Sequence, residues 1–403
     1  MKTEALIVGG GMAGLTLAAL LGDAGVACVV VDSESPAPNP KPTGRTVALM
    51  DGSINVLKAA GIWKGIKGQT APLNILRIID DSQPGMDPLT IDFKPGDIGL
   101  GAFGHNIPHL VLRGALAERV AALNNVTHLT GTQVKGFSVT PSGVQVETGD
   151  GKNIEAKIII GTDGRKSIVR RISGIGADEK EYGQTAITCL IDHSRPHDNI
   201  SAEHHRPGGP FTYVPLPGQQ SSIVWVEKTE DAKAYLSLKK PEFEKALQDR
   251  MLSALGSVTL ASAPESWPLM TLKAHTLIAP RAAIAAEAAH VFSPIGAQGL
   301  NLSLRDIASL AETLVDAARM GEDIGSDITL RRYQVRRQTD IHTRVAGVNG
   351  LNKIVSNNIG FLRGLRRAGL RTLESLPALR QFAMHQGLAP AMDDSRLARG
   401  QML

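Results

Sequence analysis

Ala5-Leu6-Ile7-Val8-Gly9-Gly10-Gly11-Met12-Ala13-Gly14 opens the chain, followed by a helix-like run over residues 15–24, the apolar run Cys28-Val29-Val30-Val31, and Asp32. The order is strand, glycine-rich turn, helix, strand, acid, and each part has a task in holding a dinucleotide. Gly9 allows the tight turn. Gly11 lets the backbone approach a pyrophosphate without a Cβ in the way. Met12 and Ala13 start a helix whose unpaired N–H groups and partial positive charge face the phosphates, and Gly14 lets helix and strand pack closely. Asp32, eighteen residues after Gly14, stands where a carboxylate accepts ribose hydroxyls. That acid disfavours a 2′-phosphate, so FAD or NAD is expected here rather than NADP.

The chain has 403 residues, enough for a large core and two closely joined domains. A net charge of +4 and an aromatic content of 4%, with no basic run interleaved with rings, do not call for nucleic acid. Two cysteines, Cys28 and Cys189, make no disulfide framework and no metal spacing. The fold begins at Ala5, leaving no room for a signal peptide, and no apolar run reaches membrane-span length. A cytoplasmic protein is expected, with peripheral attachment to a membrane left open.

Residues 33–44 read as a Pro- and Ser-rich loop leading to Gly44-Arg45-Thr46-Val47-Ala48-Leu49 and a helix over 52–60. Arg45 lies over the cofactor or is a surface cation; position alone does not separate the two. Strands are predicted at 73–79, 89–93, 134–138, 144–148 and 154–160, and a helix at 111–123 with Arg113 near its start. The run Ile158-Ile159-Ile160 empties into Gly161-Thr162-Asp163-Gly164-Arg165, which reads either as a turn or as a second cofactor loop. Alternating segments over 182–272, with a helical insert at 241–255, predict a mostly antiparallel sheet walling a substrate. His193, His197, His204 and His205 fit no metal pattern and are expected as solvated edge residues. A late strand–loop–helix unit follows, with Glu287, His290, Pro294-Ile295-Gly296-Ala297-Gln298-Gly299-Leu300-Asn301 and a helix over 302–319. Residues 328–345, with Arg331, Arg332, Arg336 and Arg337, and the Leu/Arg mixture over 361–376 read as a capping helical pair with solvated arginines. The alternative for them is a basic amphipathic surface for an anionic membrane or a partner. Residues beyond about 390 are expected to fray.

Three pieces, residues 9–32, 161–170 and 286–306, occur in the order found in the FAD-dependent aromatic hydroxylases, and the chain resembles the ubiquinone-biosynthesis hydroxylase family over nearly its whole length. The resemblance implies an α/β fold: a Rossmann-like FAD-binding domain interleaved with a mostly antiparallel β-sheet substrate domain and a C-terminal helical region. The corresponding division is 1–72, 98–180 and 273–345 for FAD, 73–97 and 181–272 for substrate, and 346–403 for the helical region. It implies that Gly9, Gly11, Met12, Ala13, Gly14 and Asp32 hold the ADP half of FAD, with Arg45 and Arg113 along the cofactor. Asp163 and Gly164 then belong to a loop touching both FAD and NAD(P)H, Glu287 takes the place of an Asp on the ribityl chain, and Pro294, Ala297, Gln298, Gly299, Leu300 and Asn301 cradle the flavin ring. Reduced flavin would take up O2 at C4a and the hydroperoxide would hydroxylate the ring of a polyprenylated phenol, so no side-chain general base is named. Backbone N–H groups near Gln298–Asn301 would stabilise charge on the reduced ring.

The chain departs from the family pattern at Ala286 and Ser303, where glycines are usual, at Ala297, and at the longer acid Glu287. Pro108-His109 replaces a Glu-Asn pair before the Arg113 helix. Two other readings follow: a flavin hydroxylase of a soluble aromatic, or a non-catalytic scaffold subunit of the ubiquinone-synthesis complex.

Overall fold

The computed structural model describes residues 1–35, 43–82, 87–293, 298–355, 368–369, 371–372, 375–388 and 395–403. The elements that build the site are, in chain order, β1 (Lys2–Val8), α1 (Met12–Asp23), β2 (Cys28–Val31), β3 (Thr46–Met50), α2 (His109–Ala121), β4 (Asn153–Gly161), α3 (Ile168–Ile172), β5 (Ala177–His193), β6 (Ala282–Ile284), α4 (Gln298–Arg319), α5 (Asp327–Val355) and α6 (Pro377–Leu388).

The first sheet is parallel at its centre, in the order β6-β4-β1-β2-(Val126–Leu129). Its strands read as unbroken apolar runs because both faces are covered: Ala5, Leu6, Ile7 and Ile158 to Ile160 are fully buried. Helix α1 lies against α2 and α4 on one face. It is buried from Ala13 to Gly22, which its small residues permit. The hairpin Val134–Thr140 with Gly143–Thr148 extends the sheet through β4.

The second sheet is mostly antiparallel, as its alternating sequence predicts. From β5 it runs through Gln220–Lys228, Gly209–Leu216 and Ile200–Arg206 to Ile75–Asp80 and Leu89–Phe93, with Glu265–Ala274 on the other side of β5. The pairing of Ile200–Arg206 with Ile75–Asp80 is parallel. Registry puts Ile187, Cys189, Phe211, Tyr213, Ile223 and Trp225 on one face, where they form a core with Phe243 and Leu247 of helix Lys240–Arg250. Thr188, Ser222 and Val214 point to the opposite face. β3 crosses that face: a Cβ at Gly44 would overlap the backbone of Thr188 and Cys189, and Thr46 Oγ1 donates to Ser222 Oγ at 2.7 Å. Among the described residues no helix is long and apolar enough to cross a membrane.

The expected loop over 33–44 and the Leu/Arg mixture over 361–376 fall largely outside the described residues. Residues 395–403 do not fray. Leu397 is fully buried, and Ser395 Oγ and the Leu397 N–H both donate to Glu312 Oε1 of α4 at 2.9 Å.

Candidate active site

Parallel strands end at a common edge, so the loops after β1, β2, β4 and β6 meet there. Backbone hydrogen bonds join them: Gly9 N–H to Val31 O at 2.8 Å, Thr162 N–H to Val8 O at 2.8 Å, and Ala285 N–H to Gly161 O at 2.9 Å. The early, middle and late motifs thus form one continuous rim.

The glycines of the first turn do different things. Gly9 has φ +106°, and a Cβ there would sit 2.5 Å from Thr162 O. A Cβ at Gly14 would strike Gly9 O and sit 2.6 Å from Thr162 Oγ1. A Cβ at Gly10 would strike the Asp32 carboxylate, a requirement that the sequence pattern did not reveal. A Cβ at Gly11, by contrast, would meet nothing within 4 Å. No side chain caps α1 and no acid lies in its first turn, so no side chain of the cap satisfies its first N–H groups, at Met12, Ala13 and Gly14. A diphosphate fits such a site.

Asp32 is buried and accepts from Arg113 Nη2 at 3.1 Å, while Arg113 Nη1 donates to Glu34 Oε2 at 2.8 Å. Next to this pair His109 begins α2 and donates its N–H to Arg45 O at 3.0 Å. Burial, reinforced by the positive charges of Arg45 and Arg113, pushes the His109 imidazole down to about 4. The Arg45 side chain itself is exposed and lies over the Trp267 ring, 4.9 Å from its centre.

Asp163 is half-buried, and its Oδ2 caps α3, accepting from Ile168 N–H at 2.7 Å and Val169 N–H at 3.3 Å. Burial pushes its pKa up in spite of these bonds, and its Oδ1 is buried with no partner. Gly164, at φ +78°, has open space where a side chain would be. Arg170, buried at the end of the same turn, donates to Ala288 O at 2.9 Å and Arg165 O at 2.8 Å. It ties the middle motif to the late one. The signal for it in the sequence is an arginine three residues past the Ser167 cap.

The late motif turns on Ala286, which has φ +58° where the family pattern carries glycine. This left-handed conformation costs a residue with a Cβ about 1 kcal/mol. Glu287 is exposed between buried Ala286 and Ala288. Behind it lies a fully buried charge centre. Asp306 Oδ2 accepts from Ala286 N–H at 3.1 Å and meets His290 Nε2 at 2.6 Å, and Asp306 Oδ1 accepts from Arg337 Nε at 2.9 Å. Burial would raise the Asp306 pKa, but the charges of His290 and Arg337 outweigh it and hold it below the usual carboxylate range.

Helix α4 starts at Gln298, with Gly299, Leu300 and Asn301 in its first turn. Asn301 clamps β3, accepting from Met50 N–H at 2.9 Å and donating to Ala48 O at 2.8 Å. β3 therefore spans from the start of α4 to the face of the second sheet that carries Thr188 and Ser222. Ser303, another replacement of a family glycine, is accommodated by donating to Gly299 O at 2.9 Å. Pro294 and Ala297 lie outside the described residues.

Two expectations are corrected. The histidines of the second sheet are not solvated: His193, His204 and His205 are buried, held by Ser221, Asp81 and Glu203 respectively. Burial among sheet neighbours, invisible in local polarity, is the reason. Among the described residues no cluster of metal-type ligands occurs. Nor are all the arginines of α5 solvated, since Arg337 is 2% exposed and is bound by Asp306 and Asp340.

The family model described as FAD binding domain matches residues 2–343. The chain is 33% identical to ubiquinone hydroxylase UbiL of Rhodospirillum rubrum, over 98% of this chain and 92% of that one. It is 28% identical to 3-demethoxyubiquinol 3-hydroxylase of Escherichia coli, over 96% and 98% of the two chains. Among solved structures, p-nitrophenol 4-monooxygenase PnpA of Pseudomonas putida superposes with a TM-score of 0.80 at 20% identity, covering 97% of this chain and 99% of that one. PqsL of P. aeruginosa gives 0.79 at 23% identity over 92% and 100%. These two carry the fold; the sequence relatives, with the glycine turn, the Asp163 loop and the Glu287 loop on one rim, place the chain in the ubiquinone-biosynthesis hydroxylase family of FAD-dependent aromatic monooxygenases.

Proposed function

We propose that the protein hydroxylates the aromatic ring of a polyprenylated phenol in ubiquinone biosynthesis, using O2 and NAD(P)H. The observation that carries this is the single rim formed by three motifs far apart in sequence, with the mostly antiparallel sheet beyond it. In this reading the N–H groups of Gly11, Met12 and Ala13 hold the pyrophosphate, Asp32 and Arg113 the ribose, and Arg45 and His109 the flank of the ADP half. Asp163 and Gly164 face the cofactor from the middle, Glu287 holds the ribityl chain, and Pro294 with Ala297, Gln298, Gly299, Leu300 and Asn301 cradles the ring. The empty space over Gly11, Gly164 and Gly299 supports it, because each is a place where a ligand atom would meet no protein atom. Bound flavin supplies the redox chemistry and activates dioxygen. The chain's own residues hold the cofactor, position the phenol and keep water out.

We assign the substrate's prenyl-bearing side to the second sheet. We divide the chain accordingly, with residues 1–72, 98–180 and 273–345 holding FAD and 73–97 and 181–272 facing substrate. Leu376, Leu379 and Phe382 are exposed around α6, and with Arg371 beside them we assign this edge to peripheral contact with the inner face of an anionic membrane.

The experiment is a deletion strain with quinone intermediates quantified, paired with oxygen consumption by the purified yellow protein. Accumulation of a prenylated phenol lacking one ring hydroxyl is expected. Normal ubiquinone together with turnover of simple hydroxybenzoates would replace this reading by a hydroxylase of soluble aromatics.

A further inference from the structure

The Asp306 centre does not stop at Arg337. Arg337 Nη1 lies 2.9 Å from Asp340 Oδ2, Arg305 Nη1 3.2 Å from the same oxygen, and Arg344 Nε 3.0 Å from Asp340 Oδ1. Arg344 then turns its remaining fork outward, and Nη1 donates to Gln298 Oε1 at 2.7 Å. The side chains of Asp306, Arg337 and Asp340 are at most 3% exposed. One unbroken line of charge-assisted hydrogen bonds therefore runs from His290 and Ala286, at the end of β6, to Gln298, at the start of α4.

These two ends are the stems of a single loop. The early nucleotide motif fixes its geometry through backbone contacts made by glycines. Here glycines are missing at 286 and 303, and the two stems are fixed instead by α5, whose Arg337 and Arg344 lie about forty residues downstream of Gln298. The line has a direction of dependence. Asp306 is held by three partners and Asp340 by three arginines, so the inner part is redundant. Arg344 carries the line on to Gln298. A planar guanidinium bridging a carboxylate and an amide oxygen fixes both distance and plane, which a point charge on a flexible stem does not.

We infer that Arg344 is a positioning residue for the flavin end of the site: braced by Asp340 on α5, it sets the Gln298 side chain and with it the first turn of α4. This rests on the assignment of Gln298 to the flavin ring. It extends the working site to α5, which supplies no residue to the three motifs.

The test uses the full-length FAD-loaded protein and four variants: Arg344→Met, Arg344→Lys, Gln298→Ala and the double change Arg344→Met with Gln298→Ala. The readouts are the FAD dissociation constant by fluorescence, the visible absorption spectrum of bound flavin, and its two-electron reduction potential, each beside a thermal melt. Arg344→Met should weaken FAD binding about tenfold, the size of one charge-assisted hydrogen bond, and should shift the flavin spectrum. Arg344→Lys keeps the charge beside Asp340 and loses the fork; it should retain the melting temperature yet weaken binding about threefold, which keeps the test decisive if the methionine variant folds poorly. Gln298→Ala should weaken binding to a similar extent, and the double variant should be no worse than Gln298→Ala alone.

If Gln298→Ala changes flavin affinity and spectrum while both Arg344 variants leave them at wild-type values, Arg344 has no positioning role and the inference fails alone. If the Arg344 and Gln298 effects multiply in the double variant, Arg344 acts by another route and the inference also fails. If neither position moves the flavin readouts, Gln298 is not at the flavin, and the site assignment falls together with the inference.

Discussion

The loop after β1 and the loop after β6 stand on the same rim and are held there by different physics. The first is shaped by missing atoms. Gly9, Gly10 and Gly14 let main chain and carboxylate approach where any Cβ would overlap, and hardly a side chain is involved. The second is shaped by added charge. Ala286 accepts a left-handed backbone, and Asp306, His290, Arg337 and Asp340 hold it there from below. Backbone close packing leaves its mark in a short run of sequence, whereas a charge centre is assembled from residues 290, 306, 337 and 340 and leaves none.

The comparison can be broken at several points. The largest effect is expected at the charge centre: Asp306→Ala leaves the Ala286 N–H and His290 buried without their acceptor and Arg337 with Asp340 alone, and should lower stability by about 3–5 kcal/mol in a denaturant titration. A loss under 1 kcal/mol would mean that the late loop stands by other means. Next comes Gly14→Ala, whose Cβ would run into the backbone of Gly9. A cost of about 2–3 kcal/mol is expected for it in the FAD-free protein. Gly11→Ala, in open space, should stay within about 0.5 kcal/mol of wild type in the same measurement while weakening FAD binding, so the pair separates packing glycines from the ligand-facing one.

The third handle is pH. His109 titrates at about 4 in the folded protein against 6.5 for the ordinary side chain, so between these values the unfolded chain binds a proton that the folded chain refuses. Stability from this group is therefore complete above pH 6.5 and falls away as pH drops toward 4, by roughly 2 kcal/mol after allowance for partial exposure. His109→Gln should flatten that part of the stability–pH curve; an unchanged slope would place the acid sensitivity elsewhere. The smallest effect is a gain: Ala286→Gly should stabilise the protein by about 1 kcal/mol by relieving the positive φ, and a loss would show that the turn tolerates its Cβ without strain.

The strands and helices of the rim were legible because each carries a local period or a punctuating glycine. The run 5–8 and the three isoleucines at 158–160 fall within observed strands, and the helix predicted at 111–123 is observed at His109–Ala121. Helix Thr229–Leu236 was not read, since its short polar sequence has almost no apolar face: only Ala232 is buried. Tertiary pairing was legible least. Arg337 looks like one more cation on a polar helix, and His204 like one more polar residue on a strand, until the partners that bury them are in place. Ser395 to Leu397 carried no pattern at all; what anchors them is Glu312, a buried acid of α4.

That closing segment bears on how the polypeptide is made. Strand β1 pairs in register from Lys2 opposite Glu155, its neighbour β4 is bordered by Ala282 to Ile284, and Leu397 enters the same core. The nascent N-terminus must wait for almost the entire message to be translated before its own layer is whole. Folding dominated by such distant pairings is slow, and the exposed strands meanwhile invite self-association, so recovery of this protein on overexpression is governed by chaperone capacity and growth temperature more than by the strength of its finished contacts.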